Sequence, residues 1–403
     1  MEATLKKTKK EPLFHVVKKT NLSLTKKILI RVIAVFLAFL LSAMFLWISE
    51  GCDPVTFFVS LFTGVFGTER RIWISLKDVA ILLGLGLALL PCFRMKFWNT
   101  GADGQALMGA LAAYAVVFFL KGKVAEPLIL IIALVCAVAA GLIFAIIPGI
   151  CKALWNTNET LFTLMLNYVA IQIVSWFTCK FATSQSNTLE VLSSDGVLPK
   201  VYNQFLLPIL IITVLLVIIG IYVNKTKHGY ELSVVGESQP TARYVGINSK
   251  RVIIRTCALS GAICGLIGFI LTCGLNHSVT TETLNGLGFT AIIVCWLANF
   301  NPYYMILTSF MVVFLNNGMS TGVLPAINGT NEAITDIIIP IFFVFIIGCT
   351  FFATYKIMVR HNDDGEIDNK FLNKCYVFFH KNKEIKPVEN KNVSTKDNTK
   401  EGK

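Results

Sequence analysis

The chain has 403 residues, 55% of them hydrophobic and only 15% charged, with 36 lysines and arginines against 24 aspartates and glutamates, a formal net charge of +12. With a mean hydropathy of +0.66, this composition excludes a water-soluble globular domain, which would need far more charge to cover its surface. The positive excess has neither an aromatic-interleaved basic groove nor zinc-finger spacing, so it is read as topology-setting ends that touch anionic lipid, not as a nucleic-acid surface.

Residues 1–27 form a basic arm, and 1–31 carry nine lysines and arginines against Glu2 and Glu11. Apolar runs follow at Val32–Ile48, Val79–Phe93, Ala106–Leu120, Pro127–Pro148, Leu161–Thr178, Phe205–Val223, Cys257–Cys273, Phe289–Ala298, Tyr304–Leu315 and Ile337–Tyr355. A crossing needs ~20 apolar residues for a ~30 Å core. The runs and their flanks predict an all-α, polytopic helical bundle of about ten crossings. The alternative is eight crossings plus re-entrant segments, because 289–298 is short. Basic flanks favour the cytoplasm. Both termini are therefore placed inside, as is the loop 224–255, whose six basic residues face two glutamates. The first run is read as a retained span, since no small-residue cleavage site follows it. Asp53–Gly67, rich in phenylalanine, predicts an interfacial helix. The expected division is a basic arm at 1–27, a membrane domain at 28–356 and a polar, largely disordered tail at 357–403. Phe371, Tyr376, Phe378 and Phe379 offer that tail a short interfacial helix.

The most informative interruption is Trp98-Asn-Thr-Gly-Ala-Asp-Gly-Gln105, set between two uncharged runs. Polar groups persist at membrane depth only where protein or a water-filled path surrounds them. An ionised aspartate at mid-helix costs ~2.5–3.5 kcal/mol on insertion scales, against ~0.3–0.6 returned per leucine or isoleucine, so the neighbours of Asp103 can carry it. Asn99, Asp103 and Gln105, with Asn158, Glu159, Asn167 and Asn301, are the candidate substrate-pathway residues. Asp103 has a second reading, as a helix cap with Gly104 giving the bend. Gly141, Ala145 and Gly149 line one helix face and Gly261 and Gly265 another, predicting close packing within one subunit or a dimer seam.

In the inner loop, Ser238 is placed to cap a short helix starting near Pro240, and Gly246 to end it. Thr241, Ala242 and Val245 would form its small-residue face, suited to docking in a groove on a partner. The docking residues expected from this loop are Glu231, Gly236, Glu237, Ala242, Arg243, Gly246 and Asn248. Eleven scattered cysteines without a Cys-x-x-Cys give no metal or redox site. No catalytic constellation, P-loop or cofactor motif occurs, so any ATP-driven step requires a second polypeptide.

Several segments taken together resemble a known family. Trp98-Asn-Thr-Gly-Ala-Asp-Gly-Gln-Ala-Leu-Met-Gly-Ala is similar to the Asn-x-Gly-Ala-Glu-Gly-Gln-x-x-x-Gly-Ala signature of ABC importer permeases for simple sugars and nucleosides. Asn158-Glu-Thr-Leu-Phe-Thr-Leu-Met-Leu-Asn-Tyr-Val-Ala resembles a segment of the nucleoside-type branch. The stretches 229–237 and 242–248 resemble the cytoplasmic coupling region, and Gly288-Phe-Thr-Ala-Ile-Ile-Val and Asn301-Pro echo later motifs. The likeness covers roughly residues 30–355 in order. Asp103 stands where the family usually has glutamate and Ala291 where glycine is common.

The resemblance implies a multi-pass permease subunit in the cell membrane that is not itself an enzyme and has no cofactor. Its implied partners are an ATP-binding subunit on the inner loop, an extracellular solute-binding protein (often a lipoprotein) and a second permease subunit, identical or related. The implied solute is a nucleoside, with a simple sugar as the alternative. An ion-coupled secondary transporter using Asp103, an intramembrane enzyme and a branched-chain amino-acid permease are the remaining alternatives. The segment Leu164-Met-Leu-Asn-Tyr168 leans away from the last.

Overall fold

The computed structural model describes residues 14–18, 24–182, 189, 191–192, 196–327 and 333–359. The described residues are overwhelmingly helical. α1 is Leu24–Glu50, α2 Pro54–Phe66, α3 Glu69–Arg94, α4 Ala102–Leu120, α5 Glu126–Trp155, α6 Glu159–Phe181 and α7 Leu206–Lys225. They are followed by α8 Lys227–Glu237, α9 Gln239–Tyr244, α10 Ser249–Phe269, α11 Leu287–Leu297, α12 Pro302–Gly318, the single turn α13 Leu324–Ala326 and α14 Ala333–Thr354. Two π-helical segments, Ile270–Asn276 and Met319–Val323, extend α10 and α12.

Among the described residues, eight helices are long and apolar enough to cross a membrane, α2 and α11 falling short of that length. The ten apolar runs therefore do not all become full spans. At 1.5 Å per residue, α11 rises only about 16 Å, about half of a ~30 Å core.

The chain divides into two compact units. One holds the chain ends, residues 1–36 and 345–403. Here strand β1 (Phe14–Lys18) pairs antiparallel with strand β2 (Tyr355–Val359), Phe14 opposite Val359 and Lys18 opposite Tyr355. Residues of the basic arm thus pair with the segment that runs from the end of α14 into the tail. The phenylalanine-rich part of the tail lies outside the described residues.

The other unit, residues 37–344, is the helical body. α3 is its axis: every residue from Val79 to Phe93 is buried, as befits a helix apolar on all sides. The small-residue faces meet each other within the subunit. A Cβ on Gly141 would lie 2.7 Å from the Gly265 nitrogen, and one on Gly109 2.6 Å from the Gly265 Cα. α4, α5 and α10 therefore pack backbone to backbone, and no side chain larger than hydrogen fits between them. The expected helix after the first span is present as α2. Its Phe57, Leu61 and Val65 are buried with Phe314, Met319 and Val323.

Candidate translocation site

α3 ends at Arg94, Lys96 adopts a left-handed φ of 57°, and the chain turns back into the body before α4 begins at Ala102. The octet forms this turn. Asn99 and Gln105, 1% and 2% exposed, exchange amide hydrogen bonds. Gln105 Nε2 donates to Asn99 Oδ1 (3.1 Å) and Asn99 Nδ2 to Gln105 Oε1 (3.2 Å). Asn99 Nδ2 also donates to Ser260 Oγ on α10 (3.3 Å), and Gly101 N donates to Asn99 Oδ1 (3.0 Å). From α6, Asn167 Oδ1 accepts from Gly104 N and its Nδ2 donates to Thr100 O, both at 2.9 Å. Thr100 N donates to Thr163 Oγ1 (3.1 Å) and Thr100 Oγ1 to Thr160 O (3.0 Å). The octet is thus a girdle stitching α4, α6 and α10. Ser260 lies near the middle of the continuous helix Ser249–Asn276, which puts the girdle well inside the body.

Asp103, in the first turn of α4, reaches a different helix. Its Oδ1 accepts from Gly288 N at 2.7 Å, so the carboxylate sits at the positive N-terminal end of α11. A capping role is thus realised on α11, 185 residues away. Gly288 is required there, because a Cβ would lie 2.8 Å from the carboxylate carbon. Before α11 the chain is irregular from His277 to Gly286, with left-handed φ at His277, Asn285 and Gly286. α11 then runs to the turn at Asn299–Phe300, where Phe300 O accepts from Arg94 Nε (3.3 Å). Two helices therefore start inside the body, α4 and α11, with one carboxylate between their N-termini. Non-helical backbone of this kind is tolerated where it is buried in protein or lines a water-filled cavity.

The remaining pathway candidates stand apart from the girdle. Asn158 caps α6, accepting from Leu161 N (3.2 Å), and Glu159 pairs with Lys152 (2.7 Å). Asn301 caps α12, accepting from Tyr303 N (3.0 Å). Sequence reasoning missed Thr100, Thr163, Ser260 and the polar stretch His277–Gly286. Its signal was visible as His-Ser-Val-Thr-Thr-Glu-Thr-Leu-Asn-Gly between two apolar runs. It also missed Asp78, whose Oδ2 accepts from Asn317 Nδ2 (3.0 Å) on α12. On another face, a cavity of about 710 Å³ is bordered by Glu126, Lys200 and His277. Burial, and then the Lys200 charge, hold the His277 imidazole below its usual pKa.

The inner loop has the expected start and stop. Ser238 Oγ accepts from Thr241 N (3.4 Å) at the start of α9, and Gly246 follows it with φ 82°. Glu237, Arg243, Tyr244, Val245, Gly246 and Asn248 are exposed, Tyr244 at 92%. Ala242 is fully buried. It anchors α9 from beneath and does not share an outward face with Thr241 and Val245. Glu231 pairs with Arg255 of α10 (2.9 Å). Gly236 abuts the backbone of Arg94 and Met95, only a few residues before the octet.

A helical body with eight helices long and apolar enough to cross a membrane, helices that start inside it and an ordered loop beside one break is that of a multi-pass membrane transport protein. The chain belongs to the family described as branched-chain amino acid transport system / permease component, which matches residues 72–348. It is 28% identical over 329 residues to the guanosine ABC transporter permease protein NupP of Bacillus subtilis, covering 79% of this chain and 92% of that one. It is 26% identical over 317 residues to the nucleoside ABC transporter permease protein NupB of Lactococcus lactis, covering 73% and 84%. The glucose ABC transporter permease protein TsgB13 of Haloferax volcanii is 27% identical over 343 residues, covering 78% and 87%. No solved structure gives a significant match. The chain is accordingly a transport subunit and not the ATP-hydrolysing component. Its family implies an ATP-binding subunit and a solute-binding protein as partners.

Proposed function

We propose that this chain imports nucleosides across the plasma membrane by alternating access, as one of two permease subunits that together form the path. Both termini are assigned to the cytoplasm, the permease domain to 28–356, and the flanks 1–27 and 357–403 to the cytoplasmic surface. The observation that carries the mechanism is the contact chain from loop to girdle. Glu237, Arg243, Gly246 and Asn248 present the docking surface, while Glu231, Gly236 and Ala242 hold it on the body. A push on α8 and α9 by the ATP-binding subunit reaches the end of α3 through Gly236 against Arg94. Arg94 also ties down α7, its Nη2 donating to Asn224 Oδ1 (2.9 Å). From there the displacement enters the octet, whose amides couple α4 to α6 and α10 and whose Asp103 couples α4 to α11. Asn99, Asp103, Gln105 and Asn167 are thus the frame of the moving wall, while Asn158, Glu159 and Asn301 fix the helix ends beside it.

Nucleosides are favoured because two of the relatives carry that solute in their names. The simple-sugar reading has one observation behind it, the glucose permease relative. Radiolabelled adenosine or guanosine uptake, in cells expressing the chain with its partner subunits, separates the two. Unlabelled nucleosides should compete, whereas ribose and glucose should not. Uptake of labelled ribose or glucose, with none of nucleoside, overturns the reading.

A further inference from the structure

Long stretches of the outward helix faces are aliphatic, and aromatic rings are exposed on α1 (Phe36, Trp47) and α12 (Tyr303, Tyr304). α5 exposes Ile131, Val135 and Ile143, and α7 exposes Leu210, Val214 and Ile218, which suits acyl chains. α6 is different. At four-residue spacing its outward face presents Tyr168, Gln172 and Trp176, the two rings 58% and 60% exposed. The Gln172 amide is exposed in the middle of a 23-residue helix and has no hydrogen-bond partner among the described residues. These residues, with Val169 and Ile173, border a shallow, open hollow on the helix surface. An unpartnered amide facing hydrocarbon is unfavourable, so this face meets protein or an aqueous solute path.

We infer that the Tyr168–Gln172–Trp176 stripe of α6 is a base-recognition track, on which the planar base of the transported nucleoside stacks and meets the Gln172 amide. This rests on the nucleoside reading above. One step of four residues rises about 6 Å, so the amide lies between two rings that stand about 12 Å apart along the helix axis. Aromatic faces accept any base, and the carboxamide offers both a donor and an acceptor to a base edge. The Tyr168 end of the track adjoins Asn167, which is bonded to Thr100 and Gly104, so movement of the girdle tilts the track. Lys180 Nζ, 5.0 Å from the Trp176 ring centroid, steadies the other end.

The test is uptake kinetics of the intact transporter with a panel of labelled purine and pyrimidine nucleosides. Trp176→Ala and Tyr168→Ala should each raise KM by roughly tenfold, the magnitude of one lost base–aromatic stack. Gln172→Leu should change the ranking among bases, and Ile143→Ala on the aliphatic face of α5 should change nothing. Nucleoside uptake with unaltered KM and ranking in the three α6 variants overturns the track alone. Loss of kcat or of membrane abundance at constant KM marks a packing face and likewise overturns it. A wild type that imports no nucleoside overturns the nucleoside reading and the track with it. If the alanine variants fail to reach the membrane, Gln172→Cys in a Cys179→Ser background decides. An aqueous thiol reagent should block its uptake, and excess nucleoside should protect. Absence of block or of protection counts against the track.

Discussion

The octet between α3 and α4 and the loop around α9 are both polar punctuation in an apolar chain, yet they use their polar groups in opposite ways. In the octet Asn99, Gln105 and, across from them, Asn167 are buried and partnered by the protein itself. Around α9, Arg243, Tyr244 and Asn248 point to solvent. A polar residue at membrane depth is thus as readily a fastener as a ligand, and a side chain already holding two partners has little left for a solute. Recognition is better sought where an amide is left open, as on the outward face of α6.

The largest expected effect follows from breaking the fastener. Asn167→Leu removes the acceptor for Gly104 N and the donor to Thr100 O, leaving one buried and one half-buried backbone group unpaired. A buried unpaired group costs about 1–3 kcal/mol and a half-buried one less, so thermal unfolding of the purified subunit in detergent should show a destabilisation of about 2–4 kcal/mol. A change below about 1 kcal/mol would place Asn167 with the solvent-facing polar groups and erase the contrast.

Next in size is the loop. Tyr244→Ala should leave stability within about 0.5 kcal/mol, as for an exposed position without structural partners. An interface tyrosine nevertheless contributes about 2 kcal/mol or more when it anchors binding, so retention of the ATP-binding subunit on co-purification should fall by roughly thirtyfold. Ala242→Arg is a poorer probe, because a guanidinium at a fully buried site disrupts the fold before it tests docking. Full retention of the partner by Tyr244→Ala would mean that exposure of α9 has nothing to do with docking.

These two regions also mark how far the sequence could be read. The break at 98–105, the start of α9 at Ser238 and its end at Gly246 were legible, because cap and turn chemistry is local. So was the mutual closeness of small-residue faces, since glycines four apart leave a groove wherever they occur. The partners were not legible. Nothing near Asn99 points to Ser260, and nothing near Asp103 points to Gly288. Periodicity shows which residues share a helix face but not which face it meets. The inward turn of Ala242 was missed for the same reason, since a six-residue helix is too short for its own pattern to say which side is covered.

Asp103→Asn makes a smaller change than Asn167→Leu, because an amide oxygen still accepts from Gly288 N. It forfeits the charge at the α11 N-terminus, and charge-assisted hydrogen bonds are about twice as strong as neutral ones, so a loss of about 1 kcal/mol in the same unfolding measurement is expected. Asp103→Leu, which removes the acceptor altogether, should cost about 1–3 kcal/mol. Equal losses in the two variants would show that Gly288 N depends on the charge and not on an oxygen at that position.

The smallest effect is expected where the two regions are joined by a single ion pair. Glu231 on α8 meets Arg255 on α10 at 2.9 Å, with side chains 18% and 36% exposed. A half-buried pair is partly screened, and Glu231→Gln should cost about 1 kcal/mol, with the difference shrinking in high salt. α10 also carries Ser260, which holds Asn99, so this pair lies on a second route from loop to girdle, parallel to the contact of Gly236 with Arg94. If the main route is the backbone contact, uptake by Glu231→Gln should stay close to wild type at every ionic strength. A several-fold fall in uptake at unchanged stability, deepening as salt is lowered, would instead assign the coupling to α10 and make the fastened and exposed regions one electrostatic unit.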